Sequence, residues 1–284
     1  MRIVLVANRL SGSGSTDADR VRRLLTDAGA EVEPRDIDQL DDPLPDGVER
    51  VVVAGGDGSV GSAARAAAGA GVPLAVLATG TANDFASALG LPTDLEKACL
   101  LAADPAAPTE QREIGLIGDH PFVNAATAGL SAVASRLAKP HKARLGALAY
   151  AWGALRAGLT APHTPCRVLV DGETVFDGDA WQVVVAVSGA FGGGSNIGDT
   201  RHDDDHLDVA VVPARSRIAL VRHGYHMRRG MLTQQEDVPH HRGHEIEVDA
   251  PQGTEFNVDG DLHKLDPARF TLLDGGVRVV VPQE

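Results

Sequence analysis

The run Val51-Val52-Val53-Ala54-Gly55-Gly56-Asp57-Gly58-Ser59 carries the clearest chemistry in the chain. Glycines directly after an apolar strand let backbone amides close on a ligand, and a helix beginning there adds positive potential suited to phosphate. Asp57 is the odd member, because a carboxylate repels phosphates. Three roles suit it: ordering the loop, binding water and metal, or acting on a substrate hydroxyl. A plain tight turn after a strand is the bland alternative. A second glycine turn, Ala78-Thr79-Gly80-Thr81-Ala82-Asn83-Asp84-Phe85-Ala86, follows about 25 residues later, the length of one strand–helix–strand unit. Asn83 and Asp84 are also good caps for a helix beginning at Phe85. Far downstream, Asp203-Asp204-Asp205-His206-Leu207-Asp208 crowds carboxylates on a short turn. It reads either as oxygen ligands for a hard cation or as a solvated acidic turn.

These residues need elements to hold them. Valines 51–53 read as a buried strand, 60–70 as an alanine-rich helix and 73–77 as the next strand. Both glycine turns should then lie at one edge of a parallel sheet, where open α/β sheets place ligands. Upstream, 3–7 reads as the first strand, 18–28 as a helix capped by Thr16 or Asp17, and 31–37 as the second strand; 39–48 is an acidic surface loop. A helix over 94–103 leads to a connector and a domain boundary near 108–113. Beyond it β-type runs dominate, at 112–117, 121–125, 166–170, 182–188, 207–212, 244–249, 255–258, 269–273 and 277–281, broken by one helical insertion at about 130–160. The expected layout is an α/β domain over 1–112 and a β-sandwich domain over 113–284, with the last strand free to return to the first domain.

Composition narrows the function classes. The chain has 284 residues, a formal charge of −13 and two cysteines, Cys99 and Cys166. That charge argues against a nucleic-acid partner, and two cysteines make neither a disulfide framework nor a thiolate cage; core thiols are expected. The N-terminus is too short and too weakly basic for a signal peptide, and no apolar run approaches a membrane span, so a reducing cytoplasm is the expected compartment. His240, His241 and His244 lack the spacing of a zinc motif. Val187-Ser188-Gly189 lacks a nucleophile elbow, and the Asn8–Ser15 loop lacks both a P-loop lysine and the third glycine of a dinucleotide fingerprint.

The GGDGS and GTANDFA turns together resemble the nucleotide-binding signatures of the diacylglycerol kinase catalytic-domain superfamily, most closely its soluble bacterial lipid kinases. Asn8, Ser11 and Gly12 match the turn that opens these kinases, with Arg9 in place of proline. Phe122–Ser131 resembles the family's asparagine–glycine segment, Gly192-Gly193-Gly194 its triple-glycine turn, and Asp203–Val209 its acidic segment. The resemblance implies a Rossmann-like α/β nucleotide domain followed by a β-sandwich domain, with the active site in the cleft between them. It implies ATP as phosphoryl donor, Asn8, Gly55, Gly56, Asp57, Gly58, Ser59, Gly80, Thr81, Asn83 and Asp84 as nucleotide-binding residues, and a structural Mg²⁺ at Asp204 and Asp208. A second Mg²⁺ arrives with ATP, helped by Asp57 or Asp84. The chain departs from the family at Asp205, which replaces a glycine, and at Asp199 and Arg201 in the same loop. Phe256-Asn257-Val258-Asp259-Gly260-Asp261 resembles the family's Asp-Gly-Glu, whose glutamate takes the proton from the lipid hydroxyl. Asp261 stands at that position, so Asp261 and Asp57 are the catalytic candidates. An Asp-Gly type I′ hairpin accounts for the same residues structurally.

The expected acceptor is a lipid such as diacylglycerol. Between Asp119 and Asp171 there is no acidic residue, and Arg136, Lys139, Lys142, Arg144, Arg156 and Arg167 are basic. The run 145–159, with Tyr150 and Trp152, suits a membrane interface, so 136–160 is expected to touch an anionic bilayer transiently from the inner face; a core helix with a basic flank is the duller alternative. A homodimer stays open. The rival functions are a catalytically weak nucleotide or lipid binder, and a small-molecule kinase resembling NAD kinase or phosphofructokinase.

Overall fold

The structure, a computed structural model, describes residues 1–7, 14–141, 148–187, 204–215, 220, 222–223, 226, 229, 231–266 and 268–283. They form two compact units: Met1–Ile114 with Leu273–Glu284, and Gly115–Leu272. Strands and helices are numbered in chain order.

The first unit contains β1 (Arg2–Ala7), α1 (Gly14–Asp27), β2 (Glu31–Arg35), β3 (Arg50–Gly55), α2 (Asp57–Gly69), β4 (Leu74–Ala78), α3 (Asp84–Ala88), α4 (Leu95–Ala103), β5 (Thr109–Arg112) and the chain's last strand, β17 (Val277–Val280). Its sheet runs β2-β1-β3-β4-β17-β5, parallel throughout except where β5 pairs antiparallel with β17. One face, formed by Ile3, Leu5, Val52, Ala75 and Leu77, packs on Val21 and Leu25 of α1 and on Ala98, Cys99 and Ala102 of α4. The α2 helix packs against β3, and its fully buried Ala63, Ala64 and Ala67 are small enough to let helix and strand approach closely. Arg50 anchors the start of β3: its buried Nη1 donates to the carbonyls of Ala102 (2.7 Å) and Asp104 (3.0 Å), groups at the end of α4 that lack helical partners. Burial pushes this guanidinium's pKa down.

The second unit contains β6 (Gly115–Ile117), β7 (His120–Phe122), β8 (Ala125–Gly129), α5 (Leu130–Ala138), α6 (Leu148–Thr160), β9 (Thr164–Val170), β10 (Glu173–Ala186), β11 (Leu207–Pro213), β12 (His240–Gly243), β13 (Ile246–Asp249), β14 (Glu255–Val258), β15 (Asp261–Lys264) and β16 (Ala268–Leu272). One curled antiparallel sheet runs β15-β14-β8-β10-β9-β13-β16-β6-β7, with β11 and β12 branching from β10. The curl brings its two ends together: the His120 ring on β7 lies 4.6 Å from the His263 ring on β15. Inside, Phe270 meets Phe122 and Phe256 edge-on at 6.3 and 6.0 Å. The sandwich is thus a single sheet closing on a core of alternating residues, Val183, Val185, Val209, Val211, Ile246 and Val248 among them. The helical insertion holds two α-helices and one short 3-10 turn, Lys139–His141, among the described residues. A Cβ on Gly153 of α6 would sit 2.4 Å from the carbonyl oxygen of Ala134 on α5, so the glycine is what lets these helices touch.

Candidate active site

Strands β3 and β4 pair in register from Val51↔Leu74 to Gly55↔Ala78, so both glycine turns leave the same sheet edge side by side. The Thr79 amide donates to the Gly55 carbonyl at 3.1 Å. The α2 helix begins at Asp57, three residues before the expected start, because the Gly56 carbonyl accepts from the Ser59 (2.9 Å) and Val60 (3.3 Å) amides and closes the first turn there. The phosphate-suited end of the helix dipole therefore lies within the glycine turn itself. The two turns meet glycine on glycine: a Cβ on Gly80 would lie 2.5 Å from Gly56 Cα and 3.0 Å from Gly56 N. Gly80→Ala is expected to push the turns apart, costing about 2 kcal/mol of stability and about tenfold in ATP affinity. Denaturant unfolding and nucleotide titration read both. Gly69→Ala, at the open end of α2 with nothing within 4 Å of the added carbon, should leave nucleotide affinity unchanged and raise stability by up to about 1 kcal/mol.

Of the three roles open to Asp57, its position displays the ordering of the loop. Its side chain is buried, and its two carboxylate oxygens accept separately from the Asp84 amide (Oδ2, 3.2 Å) and the Phe85 amide (Oδ1, 3.0 Å). A residue of the first turn thus caps the helix that opens the second, α3. Asn83 holds the N-cap position without a side-chain cap, in the left-handed conformation at φ 54°. Its side chain instead brackets Gly80, accepting from the Gly80 amide and donating to the Gly80 carbonyl, each at 3.0 Å. Of the alternatives open to Asn83 and Asp84, cap or site, a side-chain cap by Asn83 is not formed, and the carboxylate that caps α3 is that of Asp57. Gly80 and Thr81 are exposed, while Gly55, Gly56, Gly58 and Ser59 are half-buried. Asn8, Ser11 and Gly12 lie outside the described residues.

In the second unit, Asp259 and Gly260 both take positive φ, 46° and 101°, between paired Val258 and Asp261. This is the type I′ hairpin. The Asp259 carboxylate accepts from three consecutive amides, Val123 (2.6 Å), Asn124 (3.1 Å) and Ala125 (3.1 Å), so the turn is tied to the asparagine–glycine segment. The Asn257 side-chain oxygen accepts from the Gly260 amide and its Nδ2 donates to Ser135 Oγ, both at 2.9 Å. Asp261 is exposed at the first position of β15. His263, two residues on and therefore on the same strand face, is pushed down in pKa by burial and by His120, against an upward pull from Asp261.

Asp204 and Asp208 are also brought together, with a protein cation between them. Both oxygens of Asp204 accept from Arg242 Nη2 at 2.6 Å, and Asp208 Oδ1 accepts from His240 Nε2 at 2.6 Å and is ion-paired with Arg242 Nε at 3.3 Å. The hydrogen bond from Arg242 holds the Asp204 carboxyl below the usual carboxylate range. A hard divalent cation wants these same oxygens in a cage of its own. The described residues do not fit a divalent ion held between Asp204 and Asp208. Asp203 and Gly192–Gly194 lie outside the described residues. The nearby histidines serve separate partners: His244 Nδ1 lies 2.8 Å from the Asp205 carbonyl, and His206 stacks on His244 at 4.3 Å. Cys99 and Cys166 are buried, and burial raises both thiols to about 11. Sequence reasoning missed Asp259, Arg242 and His240, whose partners lie more than 30 residues away; the Asp-Gly turn was the one local signal for the first.

Comparison with known proteins agrees with this layout. The pattern of the Diacylglycerol kinase catalytic domain matches residues 2–109, and that of the YegS C-terminal NAD kinase beta sandwich-like domain matches residues 124–281. A relative from Pseudomonas fluorescens named "Probable lipid kinase YegS-like" is 31% identical over 257 residues, covering 86% of this chain and 81% of its own. A diacylglycerol kinase of Mycobacterium tuberculosis is 29% identical over 249 residues, 84% of this chain and 78% of its own. In fold, a crystal structure of a diacylglycerol kinase from Bacillus anthracis superposes with a TM-score of 0.77 at 22% identity, covering 99% of this chain and 96% of that one. An ATP complex of an NAD kinase from Archaeoglobus fulgidus gives 0.53 at 15% identity, over 99% and 93% of the two chains. The two adjoining glycine turns, the curled sheet behind them in sequence and the match over both regions lead to one conclusion: the chain belongs to the diacylglycerol kinase and YegS-like family of lipid kinases.

Proposed function

We propose that this kinase transfers the γ-phosphoryl group of ATP to a hydroxyl of diacylglycerol or a related lipid. The observation that carries the reading is the fusion of the two glycine turns through Asp57, which presents the start of α2 as a preformed phosphate cradle. Phosphoryl transfer needs the donor held in line, its charge neutralised and the acceptor deprotonated as it attacks. Gly55–Ser59 and Thr81 hold the phosphates of ATP, which brings its own Mg²⁺ as part of the substrate. Asp261 takes the hydroxyl proton as the lipid oxygen bonds to the γ-phosphorus and the bond to the departing ADP breaks. Asp57, with both oxygens engaged by amides, acts as a positioning residue.

The test is the product. Purified protein given MgATP, diacylglycerol micelles, NAD and fructose 6-phosphate is expected to yield phosphorylated lipid by mass spectrometry. Phosphorylated NAD or sugar without lipid product would overturn the acceptor class. Intact nucleotide binding with no product would favour a non-catalytic binder, the reading that the shorter Asp261 carboxylate supports.

The acceptor lives in a bilayer, and α6 supplies a surface for it. Ala149, Gly153 and Ala157 are buried at helical spacing, which turns Trp152, Leu155 (68% exposed) and Leu159 (67%) outward. Arg156 lies 5.8 Å over the Trp152 ring, and Lys139 is exposed nearby in sequence. Among the described residues no helix is long and apolar enough to cross a membrane. An apolar stripe with basic neighbours, in a stretch free of acidic residues, suits the anionic inner face of a membrane. The triple change Trp152→Ala, Leu155→Ser, Leu159→Ser is expected to weaken sedimentation with phosphatidylglycerol vesicles about 100-fold, while activity on micellar lipid persists. Undiminished vesicle binding would remove this surface.

A further inference from the structure

We propose that Arg242 is a built-in replacement for the structural divalent cation of the acidic segment, so that this chain orders the turn 204–208 without metal. Strand register sets it up: Asp208 and Arg242 are direct partners across β11 and β12. From there the guanidinium reaches both oxygens of Asp204 at 2.6 Å while its Nε stays 3.3 Å from Asp208. Asp208 is fully buried, and His240 meets the same oxygen from the next outward position of β12. Two carboxylates therefore face one permanent cation and one histidine donor. A divalent ion entering between them would have to displace the guanidinium and then sit beside it. The turn carries a matching change. Asp205 stands where the resemblance has glycine, keeps the positive φ (57°) that glycine serves, and offers its carbonyl to His244. One atom works against the replacement: Asp208 Oδ2 is buried without a hydrogen-bond partner among the described residues, and a cation would have to reach it.

Thermal unfolding of the nucleotide-free protein in Mg²⁺ and in chelator tests this without reference to the kinase reaction, so it stands or falls apart from the lipid reading. The wild type is expected to melt at the same temperature, within about 1 °C, in 5 mM Mg²⁺ and in EDTA, and calorimetric titration with Mg²⁺ should show no binding heat. Arg242→Ala is expected to lower the melting temperature by about 5 °C or more, with Mg²⁺ recovering part of the loss once the guanidinium is gone. Arg242→Lys, which keeps charge but not the fork, should fall between them and covers the case in which the alanine variant does not fold. A wild type stabilised by Mg²⁺ and destabilised by chelator would overturn the proposal. So would an Arg242→Ala protein that melts like the wild type.

Discussion

Asp57→Asn is expected to lower kcat/KM for ATP about 100-fold, because it breaks the joint between the two glycine turns. The wild-type carboxylate accepts from two successive amides, those of Asp84 and Phe85, from a buried position. Asparagine keeps the size but turns one acceptor into an NH₂ group facing an N–H donor. One amide loses its partner, the start of α3 loses a negative charge, and the second turn shifts. A displacement of about 1 Å in groups that hold a substrate costs roughly 10²-fold in rate, and the lost cap costs about 1–2 kcal/mol of stability. Steady-state kinetics with a denaturation curve separates the two effects. An Asp57→Asn protein with normal ATP kinetics would show that the joint is dispensable.

Asp261→Asn is expected to have the opposite signature, a fall of about 10³-fold in kcat with ATP affinity unchanged. The carboxylate sits beyond a hairpin whose two turn residues both have positive φ, and Asp259 pins that hairpin to three amides. The backbone around Asp261 is therefore held firmly, and side-chain length governs its reach. Asp261→Glu, which extends the carboxylate by about 1.5 Å, is expected to raise kcat toward what the family's glutamate provides. A fall in kcat for Asp261→Glu equal to that for Asp261→Asn would show that position 261 does not take the proton. The two variants therefore separate the proposed roles: a change at Asp57 is expected to act on nucleotide kinetics and a change at Asp261 on transfer to the acceptor.

Much of this site was legible in the sequence, for identifiable reasons. Uninterrupted valines at 51–53 can only be buried, and the distance from Gly55 to Gly80 fits one crossover, so the pairing of β3 with β4 and the shared edge of the turns followed. The start of α2 at Asp57 was less visible, since glycine and serine in its first turn look like loop. Strands β12 (His240–Gly243) and β15 (Asp261–Lys264) were missed because they are short and polar, as strands at sheet margins are. The first half of β10 was hidden in the same way by Asp177, Gly178 and Asp179. What no local pattern gives is the long-range partner. Asp57 with Phe85, Asp259 with Val123 and Arg242 with Asp204 are separated by 28, 136 and 38 residues, and each changes the role assigned to a carboxylate. The last strand was expected to be free to return to the first domain, and β17 does so, lying between β4 and β5 in the sheet that bears the glycine turns.

The most direct measurement is transfer of labelled γ-phosphate from ATP to diacylglycerol in mixed micelles by the wild type, Asp57→Asn and Asp261→Asn, with ATP affinity measured on each. The account predicts labelled lipid from the wild type alone at full rate, weakened ATP binding in the Asp57 variant and normal ATP binding in the Asp261 variant. Equal labelling by all three proteins, or no labelled lipid from a wild type that binds ATP, would contradict it.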